Sequence, residues 1–297
     1  MSSVLHIERL AVIGVGLIGG SLALALRRAG VVGEVVGAGR GVANLERARE
    51  RGIVDRFTTD PAAAVTRADM VVVGVTLGAT RDVFARIAPA LAPDAVVTDV
   101  GSTKASVVAA AHATLGAHLP NFVPGHPIAG TERSGADAAF AELYDDHKVV
   151  LTPLPETRAG ACERVRAMWC AAGATVVEMD VATHDAVLAR TSHLPHLLAY
   201  NLVDALAGGA DADAVFEFAA GGFRDFTRIA SSSPAMWADI VLANREALLA
   251  ACGEYSARFD ALVSALEAGD RDTLENAFTR AKTARDTCIV PESNEPR

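Results

Sequence analysis

The stretch RLAVIGVGLIGGSLALALRRAG, Arg9–Gly30, decides the fold of the first half of the chain. It opens with the apolar run LAVI, long enough for a buried strand, and continues through Gly14, Gly16 and Gly19. The segment SLALALRRAG predicts a helix that ends at its last glycine. A strand, a glycine turn and a helix in direct succession are the context that a dinucleotide-binding site requires. We therefore predict such a site here, with a purely structural glycine turn as the alternative.

Each position of this turn has its own physical role. Gly14 allows the tight turn, Gly16 lets the backbone approach a pyrophosphate, and Gly19 lets helix and strand pack closely. Leu17 and Ile18 begin the helix, whose N-terminus attracts an anion. We expect these five residues to contact the cofactor.

Apolar runs and helical segments alternate as far as residue 180. The runs typical of strands are Gly33–Ala38, Asp69–Val75, Asp94–Val100, Asn121–Pro124, His147–Pro153 and Ala174–Met179. The segments typical of helices are Asn44–Gly52, Thr80–Leu91, Ala105–Leu119 and Arg158–Ala172. This alternation predicts an α/β domain of the Rossmann type, residues 1–180, with a doubly wound parallel sheet covered by helices on both faces.

Strand patterns stop after residue 180, and long apolar-periodic segments take their place. They predict a helix at Pro234–Gly253, two more helices between Glu254 and Arg285, and disorder over residues 291–297. We expect residues 181–297 to form an all-α C-terminal domain. Helices with so many apolar positions often bury a face against a second copy, so we predict a homodimer formed through this half.

Composition and charge narrow the classes of partner. The chain has 297 residues, 51% of them hydrophobic, and a formal charge of −9, which disfavours nucleic acid and anionic membranes as partners. Its 4 cysteines lack metal-ligand spacing and are expected to be reduced and mostly buried. Residues 1–8 lack a signal-peptide profile, and no apolar run reaches about 18 residues, so we expect a cytoplasmic protein without a membrane span.

The end of the second predicted strand bears on the choice of cofactor. An acidic residue there usually binds the ribose hydroxyls of NAD, but this chain has Gly37-Ala38-Gly39-Arg40. Arg40 is a candidate to bind the 2′-phosphate of NADP, which favours NADP or the use of both cofactors. In the alternative, Arg40 stacks on adenine or points to solvent.

Polar residues follow several of the predicted strands, and ligands of parallel sheets bind beyond these carboxyl ends. Thr76 follows the third strand, and Ser102 and Thr103 follow the fourth. Ser102 is also suited to cap the helix that starts after it. His126 follows the next strand, between a glycine and a proline, where an exposed imidazole can exchange a proton at neutral pH. The alternative for His126 is a loop histidine bonded to the backbone.

Three histidines stand close together at the start of the helical half. His193 and His196 lie three positions apart on a helix that Pro195 is expected to kink. With His184 they make a poor zinc site, so we expect no metal. One structural histidine and one that faces a ligand is the interpretation we favour.

Two arginines follow a glycine pair at residues 221–222. Arg224 and Arg228 lie about one helical turn apart, and a guanidinium binds a carboxylate through two parallel hydrogen bonds. In an acidic protein they are candidates for the local positive site that an anionic substrate needs. The alternative is a solvated face with an ion pair to Asp225, which we favour for Arg224.

Six motifs follow one another along the chain. They are GVGLIGGS (14–21), DVGSTK (99–104), GHPIAGTE (125–132), HKVVLTP (147–153), HD…SHLPH (184–196) and GGFRDFTRIA with the following proline and tryptophan (221–237). Together they resemble the prephenate and arogenate dehydrogenase family of tyrosine biosynthesis, and HKVVLTP and GHPIAGTERSG are most similar to proteobacterial cyclohexadienyl dehydrogenases. The chain departs from the family pattern at the missing acidic residue after the second strand.

The resemblance implies the NAD(P)-dependent oxidative decarboxylation of a cyclohexadienol, prephenate or arogenate, that carries a ring carboxylate. In the family's mechanism His126 would accept the hydrogen bond of the 4-hydroxyl group, and Ser102 would orient it. Arg228 would bind a substrate carboxylate.

The resemblance also implies the surroundings of that arginine. His196 and Thr131 would line the side-chain end of the substrate. Glu132 and Asp225 would set the position and charge of the guanidinium.

Two other functions compete with this one. A two-domain hydroxyacid dehydrogenase commonly uses a lysine of its helical domain as the acid, but Val181–Thr279 contains no lysine. A non-catalytic NAD(P)-binding sensor is the second alternative, and the pair of His126 with Arg228 argues against it.

Overall fold

The structure, a computed structural model, describes residues 5–288. The chain forms two compact units, one up to Leu248 and one from Leu249 onward. The disorder predicted for residues 291–297 lies outside the described residues.

The first half alternates strands and helices, as the sequence predicts. Its elements are β1 (Ile7–Ile13), α1 (Leu17–Arg28), β2 (Val32–Ala38), α2 (Val42–Glu50), β3 (Arg56–Thr58), α3 (Pro61–Val65), β4 (Met70–Val73), α4 (Leu77–Ile87), β5 (Val96–Asp99), α5 (Ala105–Thr114) and β6 (Phe122–Val123). The six strands form one sheet in the order β3-β2-β1-β4-β5-β6, and every pair is parallel. The predicted Rossmann-type sheet is confirmed, with β3 and α3 as short elements that periodicity missed.

Alternate residues of β1 point into the two parts of the core, one on each face of the sheet. Leu10 and Val12 point into the cluster that contains Trp169, whereas Ala11 and Ile13 point into the cluster that contains Phe84. All of these side chains are at most 2% exposed. Because both faces of the sheet are buried, its strands read as continuous apolar runs.

The next strands form a second sheet, which the sequence did not predict. They are β7 (Gly125–Pro127), β8 (Lys148–Leu151) and, after α6 (Ala159–Ala171), β9 (Thr175–Glu178). Strand β7 is antiparallel to β8, and β9 is parallel to β8. His126 therefore lies in a strand, opposite Val150, and not in a loop at a strand's end.

The elements that follow residue 180 are helices, as predicted. The helices are α7 (Val181–Leu188), α8 (Leu194–Ala207), α9 (Ala212–Glu217), α10 (Gly221–Thr227), α11 (Pro234–Ala243), α12 (Arg245–Glu267) and α13 (Arg271–Cys288). A π-helical turn, Ala189–His193, separates α7 from α8, so the chain is irregular just before Pro195, and the proline lies in the first turn of α8. The single helix predicted from Pro234 is broken at Asn244.

The predicted domain boundary at residue 180 coincides with the step from β9 to α7, within the first compact unit. The division of the chain into domains there stays a prediction. None of the described helices is long and apolar enough to cross a membrane.

The cysteines differ from expectation. Of the thiols whose surroundings are described, Cys170 is exposed and Cys162 and Cys252 are partly exposed, so the expected burial was wrong. None of the three forms a disulfide bond. Burial still raises the pKa of the Cys162 thiol to about 11, which keeps it protonated at neutral pH.

Candidate active site

The glycine turn after β1 combines close packing with an open face. A Cβ atom added to Gly14 would lie 2.2 Å from the carbonyl oxygen of Gly74, and one added to Gly19 would lie 2.6 Å from that of Gly14. A Cβ added to Gly16 would meet nothing within 4 Å. Gly16 thus leaves space beside the start of α1, where the first-turn amide groups lack intrahelical acceptors. The turn fits the pyrophosphate of a dinucleotide.

Two more predicted cofactor residues lie exposed beyond the carboxyl ends of strands. Arg40 follows β2, and no hydrogen bond or ion pair of its side chain occurs among the described residues. Thr76 is the residue before α4, and its backbone oxygen accepts a hydrogen bond from the Ala79 amide at 2.9 Å. The side chain of Thr76 does not cap the helix.

A buried lysine holds the chain just before His126. The ammonium group of Lys104 donates to Asp99 Oδ2 at 2.5 Å and to the Gly125 carbonyl oxygen at 2.6 Å. Asp99 Oδ1 accepts a hydrogen bond from the Gly125 amide at 3.1 Å. The side chain of Lys104 is completely buried, and this burial lowers its pKa against the effect of Asp99. The ion pair therefore fixes the backbone at the start of β7.

Helix α5 is capped from a distant part of the chain. The carboxylate of Asp185 accepts hydrogen bonds from the Lys104 amide at 2.8 Å and from the Ala105 amide at 2.9 Å. Ser102 does not cap the helix, which corrects that alternative, and its side chain is partly exposed beyond the end of β5. Thr103 is buried and its hydroxyl group contacts that of Ser106 at 2.7 Å.

His126 is the first member of a chain of hydrogen-bonded side chains. Its Nδ1 lies 2.9 Å from Nε2 of His184, and Nδ1 of His184 lies 2.7 Å from Oδ1 of Asp185. Burial, with the charges of Lys104 and two neighbouring histidines, lowers the pKa of His126 well below 6.5. The imidazole of His126 is therefore neutral at neutral pH and able to accept a proton.

Histidines 193 and 196 have different surroundings on α8 and the π-helical turn. His193 is fully buried, its Nδ1 lies 3.0 Å from Asn244 Nδ2, and burial lowers its pKa to about 4. His196 is half-buried and stacks on Trp237 with the ring centres 3.5 Å apart. Its Nδ1 donates to the Ser192 carbonyl oxygen at 2.9 Å. The structural role expected for one histidine fits His193, and the partly exposed ring of His196 remains the candidate to face a ligand.

Arg228 forms an ion pair with Glu132. The arginine lies directly after α10, with its side chain 64% exposed, and Glu132 follows β7 on the same connection as the exposed Thr131. Asp225 and Arg224 are exposed, and no ion pair joins Asp225 to either arginine among the described residues. The structure thus brings Glu132 but not Asp225 to the guanidinium of Arg228.

Several residues of the site were missed by sequence reasoning, which assigned no role here to Lys104, His184, Asp185 or Asn244. Their signal is weak, because each acts on a partner far away in the chain. A lysine at the start of an otherwise apolar helix and the pair His184-Asp185 were the available hints. No group of three or more His, Cys, Asp or Glu side chains is arranged so that it could hold a metal ion among residues 5–288.

The two halves of the chain match two parts of one known family. Residues 22–178 match the family model described as prephenate dehydrogenase, nucleotide-binding domain. Residues 180–280 match the one described as prephenate dehydrogenase, dimerization domain. The chain belongs to the prephenate dehydrogenase family.

Individual members of the prephenate dehydrogenase family agree over nearly the full chain. A cyclohexadienyl dehydrogenase from Zymomonas mobilis is 39% identical over 94% of this chain and 95% of its own. The crystal structure of Aquifex aeolicus prephenate dehydrogenase with hydroxyphenyl propionate and NAD+ is 34% identical, with a TM-score of 0.88 over 95% of this chain and 98% of that one. Synechocystis arogenate dehydrogenase is 29% identical, with a TM-score of 0.79 over 95% of this chain and 100% of that one.

Proposed function

We propose that this member of the prephenate dehydrogenase family oxidatively decarboxylates prephenate, arogenate or both, with a nicotinamide cofactor. The observation that carries the proposal is the position of the His126 imidazole, which is hydrogen-bonded to His184 and follows the Gly125 carbonyl group held by Lys104, just beyond the carboxyl ends of the parallel strands. This is the edge at which ligands of such sheets bind.

In this proposal the side chains of the chain handle the proton and the charges. His126 accepts the hydrogen bond of the substrate's 4-hydroxyl group, and Ser102 orients the two groups. Arg228 binds a substrate carboxylate, and His196 and Thr131 line the side-chain end. When bound, the nicotinamide cofactor would supply the acceptor for the hydride from C4, and the substrate ring would lose CO₂ and become aromatic.

Glu132 is the ion-pair partner of Arg228 in the structure. We propose that this contact holds the guanidinium in place, so that a substrate carboxylate meets a positioned cation. The ring of His196, half-buried against Trp237, is rigid enough to define one wall of the substrate site. We assign Asp225 no more than a supporting effect on the local charge.

For the cofactor we propose NADP or the use of both NAD and NADP. The turn formed by Gly14, Gly16 and Gly19 fits the shared pyrophosphate, with Leu17 and Ile18 at the helix start. The exposed Arg40 supports binding of the 2′-phosphate. Thr76 and Ser102 lie at the neighbouring strand ends.

We also propose a homodimer formed through the helical half. The match to a dimerization domain over residues 180–280 supports it. Within the second compact unit, Leu249, Phe259, Leu266 and Phe278 are between 52% and 69% exposed. Such apolar positions on one unit are typical of a surface that a second copy covers. Light scattering of the purified chain tests this, and an active monomer at assay concentration refutes it.

The assay that tests the function mixes the protein with prephenate or arogenate and with NAD or NADP. Absorbance at the reduced-nicotinamide band should rise, and 4-hydroxyphenylpyruvate or tyrosine should form in equal amount. Binding of cofactor without turnover of either substrate would favour the non-catalytic sensor instead. A cytoplasmic location stays a prediction of the sequence.

A further inference from the structure

We infer that His184 and Asp185 are positioning residues that fix the tautomer of His126, so that its Nε2 is the atom that accepts the substrate's proton. The inference rests on the proposed function for the identity of that proton. Its structural part, the direction of each hydrogen bond from Asp185 to His126, rests on the contacts and burial of these side chains.

The chain of hydrogen bonds starts at a carboxylate that is able only to accept. Asp185 Oδ1 accepts from the Lys104 amide at 2.8 Å, and Oδ2 accepts from the Ala105 amide at 2.9 Å. The residue is 5% exposed. Burial opposes its ionisation, yet the bonds from His184 and these two amides hold the pKa of the carboxyl below its usual range. Asp185 is therefore a carboxylate at neutral pH and has no proton to donate.

The proton positions of both histidines follow from that. Nδ1 of His184 lies 2.7 Å from Asp185 Oδ1, so this nitrogen must carry a proton. A neutral imidazole has one N–H group, which leaves Nε2 of His184 as an acceptor. Nδ1 of His126 lies 2.9 Å from that acceptor and must donate to it. The free lone pair of His126 is then on Nε2.

The groups that face the His184 ring set the direction of this last bond, which a second proton on the ring would reverse. The ring is fully buried in a cluster that already holds the Lys104 ammonium group, paired with Asp99. The negative charge of Asp185 is already balanced in part by the N-terminus of α5, which two of its hydrogen bonds contact. The remaining titratable neighbour, His193, carries no charge at neutral pH, since burial lowers its pKa to about 4.

The two positioning residues are themselves held by packing. They are consecutive on α7, so their side chains leave the helix about 100° apart, one toward His126 and one toward α5. Asn244 donates to the backbone oxygen of Asp185 at 2.8 Å, which fixes this turn of α7. The rings of His126 and His184 meet edge to face, with centres 5.1 Å apart, so neither turns freely.

Nitrogen-15 NMR of histidine-labelled protein tests the tautomer directly, without turnover. The His126 signals are assigned from the spectrum of His126→Asn. At neutral pH the wild type should show His126 with its proton on Nδ1 and a lone pair on Nε2. A proton on Nε2 of His126, or a His184 ring that carries two protons, overturns the inference.

Kinetics of matched variants test the consequence for the reaction. His184→Phe keeps a ring of similar size but removes the acceptor, and should lower kcat by about 10²-fold or more, while KM changes by less than about threefold. His184→Gln offers an amide oxygen to the His126 proton and should restore kcat to within about tenfold of wild type. Equal losses in the two variants, or no loss in His184→Phe, overturn the inference.

Asp180→Asn is the control for helix capping. Asp180 caps α7, the helix that carries His184 and Asp185, through the Thr183 amide at 2.9 Å but lies outside the histidine chain. It should leave kcat unchanged, whereas Asp185→Asn should lower it and mix the His126 tautomers. If His184→Phe fails to fold, the wild-type NMR result still decides. If the wild-type protein turns over neither substrate, the proposed function is refuted, and the NMR spectrum still tests the tautomer of His126.

Discussion

At the scale of single residues, the proton acceptor and the positively charged group of the candidate site have different surroundings. His126 is a neutral imidazole held by buried partners, whereas Arg228 is an exposed guanidinium with one ion-pair partner. Substitutions at these positions should therefore have different kinetic signatures.

Replacement of His126 by asparagine should lower kcat by roughly 10²–10⁴-fold, because an amide cannot take up the proton. Cofactor affinity, measured by fluorescence titration, should not change. In the wild type, kcat should stay level as pH falls through 6.5, since the pKa of His126 lies well below that value, and should decline only at lower pH. A variant with near-normal kcat would remove His126 from the mechanism.

Arg40→Ala should weaken the binding of NADP more than the binding of NAD, since NADP alone carries the 2′-phosphate. One charge-assisted hydrogen bond contributes about 1.5–3 kcal/mol, so KM for NADP should rise roughly tenfold to a hundredfold. Gly39→Asp is the converse change and should favour NAD. An added Cβ at Gly39 approaches the Leu45 side chain no closer than 3.6 Å, so the substitution fits. Equal effects on both cofactors would show that Arg40 does not read the 2′ position.

Arg228→Ala should raise KM for the substrate, because its carboxylate is already bound in the ground state. Loss of one partner of a charge pair costs about 2–5 kcal/mol when the pair is desolvated. Since the Arg228 side chain is 64% exposed, we expect the lower end of this range, a rise of about 30-fold. Arg224→Ala is the matched control, with an expected change below about threefold. The reverse ranking would mean that Arg224 binds the substrate.

At the scale of elements, the turn between β1 and α1 contains one glycine that matters for stability and another that matters for cofactor binding. A Cβ at Gly19 would lie 2.6 Å from the Gly14 carbonyl oxygen and 2.8 Å from Val12 Cγ1, whereas a Cβ at Gly16 meets nothing within 4 Å. The two glycines of one motif therefore have different physical roles.

Gly19→Ala should cost about 1–3 kcal/mol of stability and lower Tm by several degrees, since backbone must move to relieve the contact. Gly16→Ala should leave Tm within about 1 °C and weaken cofactor binding, because its methyl group enters the space left for the pyrophosphate. Thermal melts with and without cofactor measure both effects. A stable Gly16→Ala variant with unchanged cofactor affinity would place the dinucleotide elsewhere.

At the scale of the whole molecule, buried neutral histidines make stability depend on pH. His193 has a pKa of about 4 in the folded chain and about 6.5 when unfolded, so between these values the unfolded chain binds more protons. The free energy of unfolding therefore does not depend on His193 above about pH 6.5, and it decreases as the pH falls from 6.5 toward 4. The contribution of His193 is roughly 3 kcal/mol over that window.

Urea unfolding at pH 7 and pH 5 measures this dependence. His193→Gln, which keeps an acceptor for Asn244, should show a smaller loss between the two values than the wild type. An identical loss in both proteins would assign the pH dependence to other groups, such as His126.

The sequence by itself determined the architecture and the identity of the chemical groups. The glycine turn, the apolar runs of the parallel strands and the helical periodicity after residue 180 are local signals, so they predicted the sheet, the helical half and the family. His126 was likewise found from its neighbours in the chain, although its place in β7 was not, because pairing with β8 depends on residues more than twenty positions away.

Only the tertiary structure decided which side chains of the site contact one another. Ser102 was a plausible cap for α5, but the cap is Asp185, 81 positions after the amide it accepts from. His126 meets His184 across 58 positions, and Arg228 meets Glu132 while Asp225, equally charged, does not. Local patterns report periodicity and backbone preference, whereas these contacts join distant parts of the chain, through the packing of α7 against α5 and the ion pair of Arg228 with Glu132, which no short stretch of sequence encodes.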